Sequence, residues 1–79
     1  MNKARRRSIE NVLNQLRDLQ TSVEELRDEE QECLDNIPEN LQGSTRYEES
    51  ERAADSLNSA YDSIEEACGN LEDAMIETY

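Results

Sequence analysis

The stretch from Ala53 to Tyr79 constrains the fold most. Written in sevens it reads AADSLNS, AYDSIEE, ACGNLED, AMIETY. Ala recurs at 53, 60, 67 and 74, and Leu57, Ile64 and Leu71 each follow an Ala by four positions. This is a heptad with Leu or Ile at a and Ala at d, the sequence form of a helix that packs along one seam. Ala54, Tyr61, Cys68 and Met75 widen the stripe at e, as a bundle helix needs.

The upstream half repeats the pattern. Ile9, Leu16, Val23 and Ile37 fall at a, and Val12, Leu19, Leu26 and Cys33 at d, with Leu13 and Leu34 at e. Strong helix formers and polar residues fill the gaps, and no Gly or Pro intervenes before Pro38. The spacing predicts a first helix over about residues 5–35, roughly 45 Å long at helical rise. Ser8 is a candidate N-cap within it. Pro38 cannot continue that helix and pushes Ile37 out of the α region. It can open a single turn, Pro38 to Leu41, that closes the end of the apolar seam. Gly43 permits a left-handed turn, and Ser44 is the best N-cap for a second helix over about 45–77. The expected organisation is therefore a basic lead, 1–7, and a helical hairpin, 8–79, with a loop at about 36–44.

The fold class read from this is all-α: an antiparallel two-helix hairpin of the Alacoil-like coiled-coil type. In the register that alternates layers best, Leu26 faces Leu57, Val23 faces Ala60, Leu19 faces Ile64, Leu16 faces Ala67, Val12 faces Leu71 and Ile9 faces Ala74. Cys33 then lies opposite Ser50, roughly 27 Å from Cys68 along the axis, so the two cysteines form no bridge within one chain. Glu30 stands at an a position, as a specificity device or a solvated break, with Arg27 and Arg52 as its nearest neutralising groups. The e residues, together with Ile76 and Tyr79, exceed what one seam covers. Homodimerisation into a four-helix bundle is the expected remedy, and a face kept for another protein is the alternative.

Composition narrows the function. The 79 residues carry a net charge of −12, with no His. Four of the eight basic residues, Lys3, Arg5, Arg6 and Arg7, lie in the lead. The remainder holds 4 basic against 20 acidic side chains, a net of −16. Such a surface repels nucleic acid and anionic membrane and attracts basic protein. There is no apolar run long enough for a membrane span and no h-region of a signal peptide, so the expected location is the cytoplasm of the cell in which it acts. Catalysis finds no foothold: no His for acid–base work, no nucleophile motif, no Gly-rich phosphate loop. Neither a metal nor another cofactor is expected, since no calcium-type loop is present.

Two surfaces remain as candidates. The first is acidic: Glu24, Glu25, Asp28, Glu32, Asp35, Asp55, Asp62, Glu65 and Glu66 fall on outward heptad positions. They are read either as an ordinary solvated face or as a row of carboxylates that imitates phosphates and binds a basic protein of a host cell. The second is Arg46 with Tyr47 near a helix N-terminus, where an oligomer could clamp a small anion such as a cyclic nucleotide.

The segments MNKARRRSIE and NIPENLQGSTRYE, with the acidic seven-residue units that follow, resemble small acidic helical proteins of phages and mobile elements of Gram-positive bacteria. The resemblance spans nearly the whole chain. It implies a short accessory protein, of the class that includes inhibitors of CRISPR and restriction defences, and assigns no role to an individual residue.

Overall fold

The computed structural model describes residues 2–76. Two long helices, α1 (Lys3–Asp35) and α2 (Thr45–Ile76), pack side by side and are joined by a short connection. The rod they form measures 60 × 16 × 13 Å. Expected ends at residue 77 and a packing role for Tyr79 lie outside the described residues.

Each helix end has a local cause. Asn2 caps α1 in an extended conformation, its Oδ1 accepting the Arg5 N–H at 2.8 Å. The helix therefore begins before Ser8, whose hydroxyl instead donates back to the Ala4 carbonyl. An Asn cap satisfies one of the free N–H groups of the first turn and contributes about 1 kcal/mol. The basic residues Lys3, Arg5, Arg6 and Arg7 thus occupy the opening turns of α1. At the other end the Asn36 N–H reaches the Glu32 carbonyl at 3.1 Å, and the chain turns at Pro38. A 3₁₀ turn follows over Glu39–Leu41, with Pro38 just outside it. Ser44 caps α2, its Oγ accepting the Tyr47 N–H at 3.3 Å. No residue among those described has positive φ, so Gly43 does not take the left-handed turn expected of it. The reversal is instead closed by the Ser44 N–H on the Leu41 carbonyl, 3.1 Å, with ordinary backbone angles.

Gly69 lies within α2, and a methyl group there meets nothing within 4 Å. Replacing it by Ala removes the backbone-entropy penalty of Gly without a clash. The expected gain is about 0.5–1 kcal/mol, read as a Tm rise of roughly 3–6 °C by circular dichroism.

The helices meet in the expected antiparallel sense, but along a different pair of columns. On α1 the seam is Ile9, Leu13, Leu16, Gln20, Val23, Arg27, Glu30 and Leu34. On α2 it is Tyr47, Ser50, Ala54, Leu57, Tyr61, Ile64, Cys68, Leu71 and Met75. In heptad terms both helices use a and e. Leu13, Leu34, Ala54 and Cys68, all at e, form the buried core. The d residues Val12, Leu19, Leu26 and Cys33 are exposed, as are Ala53 and Ala60. The Alacoil-like seam is thereby corrected in part: Ala53 and Ala60 lie to one side of the contact, while Ala67 and Ala74 are half-buried. Leu26, Leu19 and Val12, expected to face Leu57, Ile64 and Leu71, are instead about half exposed. Sliding along the axis is not the cause. The cross-helix contacts Arg6 to the Met75 carbonyl, Arg17 to Glu72, Gln20 to Glu65, Arg27 to Tyr61 and Glu30 to Ser50 stay near the expected register. The change is a rotation of both helices about their own axes.

Polar groups in the seam are matched. Gln20, buried, donates its amide to Glu65 at 2.5 Å. Glu30 is answered by neither Arg27 nor Arg52. Instead it accepts from the Ser50 hydroxyl. Arg27 lies over the Tyr61 ring, 5.0 Å from its centre, a cation–π contact that lets a guanidinium occupy a seam position. No buried side-chain polar atom lacks a partner among the described residues.

Candidate interaction faces

The rotation sorts the surface into two unlike faces. A residue one heptad on returns to nearly the same angle of a helix, so each heptad position forms a column along the rod. In an antiparallel pair meeting at a and e, the d columns of both helices fall on the same side. Cys33 of α1 and Ala53 of α2 accordingly line one concavity of about 410 Å³ near the turn, together with Ile37, Arg46 and Ser50.

The first face is acidic. It is built from the b, c and f columns and wraps the rest of the rod. Glu25, Asp28, Glu32, Asp35, Asp55, Asp62, Glu65 and Glu66 are all exposed on it, and Glu24 is half-buried. Some are already engaged. Glu65 accepts from Gln20, Asp35 accepts from Gln31 at 2.9 Å, and Arg27 reaches Asp28 at 3.4 Å and Glu24 at 4.0 Å. Arg17 pairs with Glu72 across the helices, and that hydrogen bond raises the guanidinium pKa above its ordinary value. The pair is open to solvent and adds little to stability. Glu25, Glu32, Asp55, Asp62 and Glu66 make no hydrogen bond or ion pair with any described residue.

The second face is apolar and nearly uncharged. Its centre is the two d columns. Val12, Leu19 and Leu26 are 47%, 57% and 52% exposed, and Ala53 and Ala60 are exposed beside them. The flanking g columns read Ser8, Gln15 and Ser22 on α1, and Ser56, Ser63 and Asn70 on α2. Between Ser8 and Ser22, and between Ser56 and Asn70, those columns hold no charge, in a chain with 20 acidic residues. Among the described residues, charges return only at the ends, with Arg5 at one end and Glu29, Arg46 and Glu49 at the other. Periodicity alone signalled this face, since the d columns are plain in the sequence. Assigning d to the seam hides it.

Arg46 and Tyr47 are not brought together. Neighbours on a helix point about 100° apart, and here Arg46 is exposed while Tyr47 turns toward the seam. Arg46 lines the turn-end concavity, but Glu30 and Glu49 line it too, and their carboxylates oppose an anion there. No group of His, Cys, Asp or Glu among the described residues is arranged to hold a metal ion, and none of the described helices is long and apolar enough to cross a membrane. Cys33 and Cys68 are both free, the first exposed and the second buried. No protein-family model, curated protein or solved structure matches the chain.

Proposed function

We propose that this protein is a non-enzymatic interaction module that dimerises into a four-helix bundle and offers its acidic face to a basic, nucleic-acid-binding protein. The observation that carries the reading is charge density. A net of −12 on a 60 Å rod is about one charge per 5 Å, of the same order as the roughly 3.4 Å per charge of one nucleic-acid strand. The helices hold these carboxylates on a stiff frame, so little ordering entropy opposes binding in a basic channel. In the phage setting that the sequence resembles, the partner is a host defence protein of the CRISPR or restriction class, met in the host cytoplasm.

Dimerisation has its own support. A lone pair of helices leaves Val12, Leu19 and Leu26 in water, and a small scaffold gains stability by covering such a face.

Salt tests the electrostatic part. Immobilised protein retains basic nucleic-acid-binding proteins from host lysate at about 0.1 M salt and releases them at about 1 M, where the screening length shrinks from about 10 to about 3 Å. Lys at Glu25, Asp28 and Glu32 together reduces retention at least tenfold while leaving the sedimentation mass unchanged. Retention that survives both treatments rules the acidic face out.

A further inference from the structure

The occupant of the apolar face is a second copy, and we infer that it docks in the opposite direction, related by a two-fold axis perpendicular to the rod. This rests on the dimer proposed above and adds its geometry.

The first ground is the match of the face to itself. Its α1 column runs Arg5, Val12, Leu19, Leu26, Cys33, with the three large side chains exposed and spaced evenly, about 10 Å apart. A two-fold axis passing between Leu19 and Leu26 sets Leu19 of one copy near Leu26 of the other. It also sets Val12 near the other copy's Cys33. The α2 column beside it presents Ala53 and Ala60, small enough for the helices of a second copy to approach closely. Serines and amides border the long middle of the face, so docking desolvates no carboxylate there.

Charge fixes the direction. From Glu24 through the turn to Asp55 the chain holds 12 acidic and 3 basic residues. The other half, residues 1–23 and 56–79, holds 8 acidic and 5 basic residues, with Lys3, Arg5, Arg6 and Arg7 gathered in the opening turns of α1. A two-fold axis along the rod sets turn end on turn end and places the densest negative charge against itself. The perpendicular axis instead carries Arg5 of each copy to the other copy's turn end, where Glu49 borders the face. Arg46 lies there as well, but it shares its concavity with Glu30 and Glu49, and the local balance stays negative. The lower repulsion of that arrangement selects between two otherwise similar dockings.

The two directions predict different cross-links. Wild-type protein and a Val12→Cys variant are oxidised as full chains and run on a non-reducing gel, with mass read by sedimentation beforehand. In the opposed dimer V12C gives a disulfide-linked dimer through Cys33 of the other copy, and V12C/C33S loses that link. The link cannot be internal, because 21 residues of one helix separate positions 12 and 33, roughly 30 Å, against the 7 Å or less a disulfide spans. Wild-type protein gives no such link, since its two Cys33 residues lie at opposite ends of the bundle and Cys68 is buried. A wild-type dimer linked through Cys33, or a dimer in which V12C stays unlinked, overturns the opposed docking and leaves the dimer standing. A monomer by sedimentation overturns both.

Discussion

A chain carrying Leu19→Glu and Leu26→Glu sediments as a monomer at concentrations where the parent is a dimer, and it keeps the helical far-ultraviolet signal of the parent. Both side chains are more than half exposed in the single hairpin, so the hairpin loses little when they change. In the proposed bundle they lie at the centre of the interface. Full burial of a Leu is worth about 1.5–3 kcal/mol, and the two-fold axis counts each substitution twice. About half of each side chain remains to be buried on docking, so the expected loss is about 3–6 kcal/mol, or a Kd weaker by a hundredfold or more. Four carboxylates brought together in an apolar interface add to it. If the double variant remains a dimer of parental affinity, the apolar face is not where copies meet.

The second large effect separates neighbours. Leu13 is 7% exposed and Val12 is 47% exposed, although both sit on the apolar stripe read from the sequence. Leu13→Ala opens a cavity in the helix–helix seam and costs about 2–5 kcal/mol. A hairpin of this size holds about 3–5 kcal/mol in its core, so L13A unfolds in large part at room temperature. Val12→Ala, assayed in protein dilute enough to be monomeric, costs less than about 0.5 kcal/mol. Thermal and urea melts followed at 222 nm read both. Equal losses at the two positions contradict the a/e seam and restore the a/d seam.

That pair also marks how far the sequence could be read. The helix limits were legible because their causes are local: Pro38 ends one helix region, and Ser44 begins the next. Antiparallel pairing followed from the short connection. The rotation was not legible. A stripe three columns wide, at a, d and e, permits two seams, and one partner helix covers only two columns. On α1 the d column is the more apolar, with Val12, Leu19, Leu26 and Cys33, whereas e carries Gln20 and Arg27. Hydrophobicity alone therefore selects d. The choice of e depends on partners far away in sequence, Glu65 for Gln20 and the Tyr61 ring for Arg27, and heptad counting does not see them. All the acidic residues of the expected face except Glu24 lie exposed, because b, c and f point away from either seam. Arg46 and Tyr47 point apart because neighbours on a helix diverge by about 100°.

The polar contacts across the seam have a consequence for slippage. Two smooth apolar helices can shift by a whole heptad and still bury similar area. Here a shift strands the Gln20 amide away from Glu65 and parts Glu30 from Ser50. Each abandoned group costs about 1–3 kcal/mol, comparable to the whole stability of so small a fold. The seam is thus indexed like a toothed rack. Carboxylates on α1 and α2 keep a fixed offset from one another, and the rod acts as a gauge of constant pitch for whatever binds it.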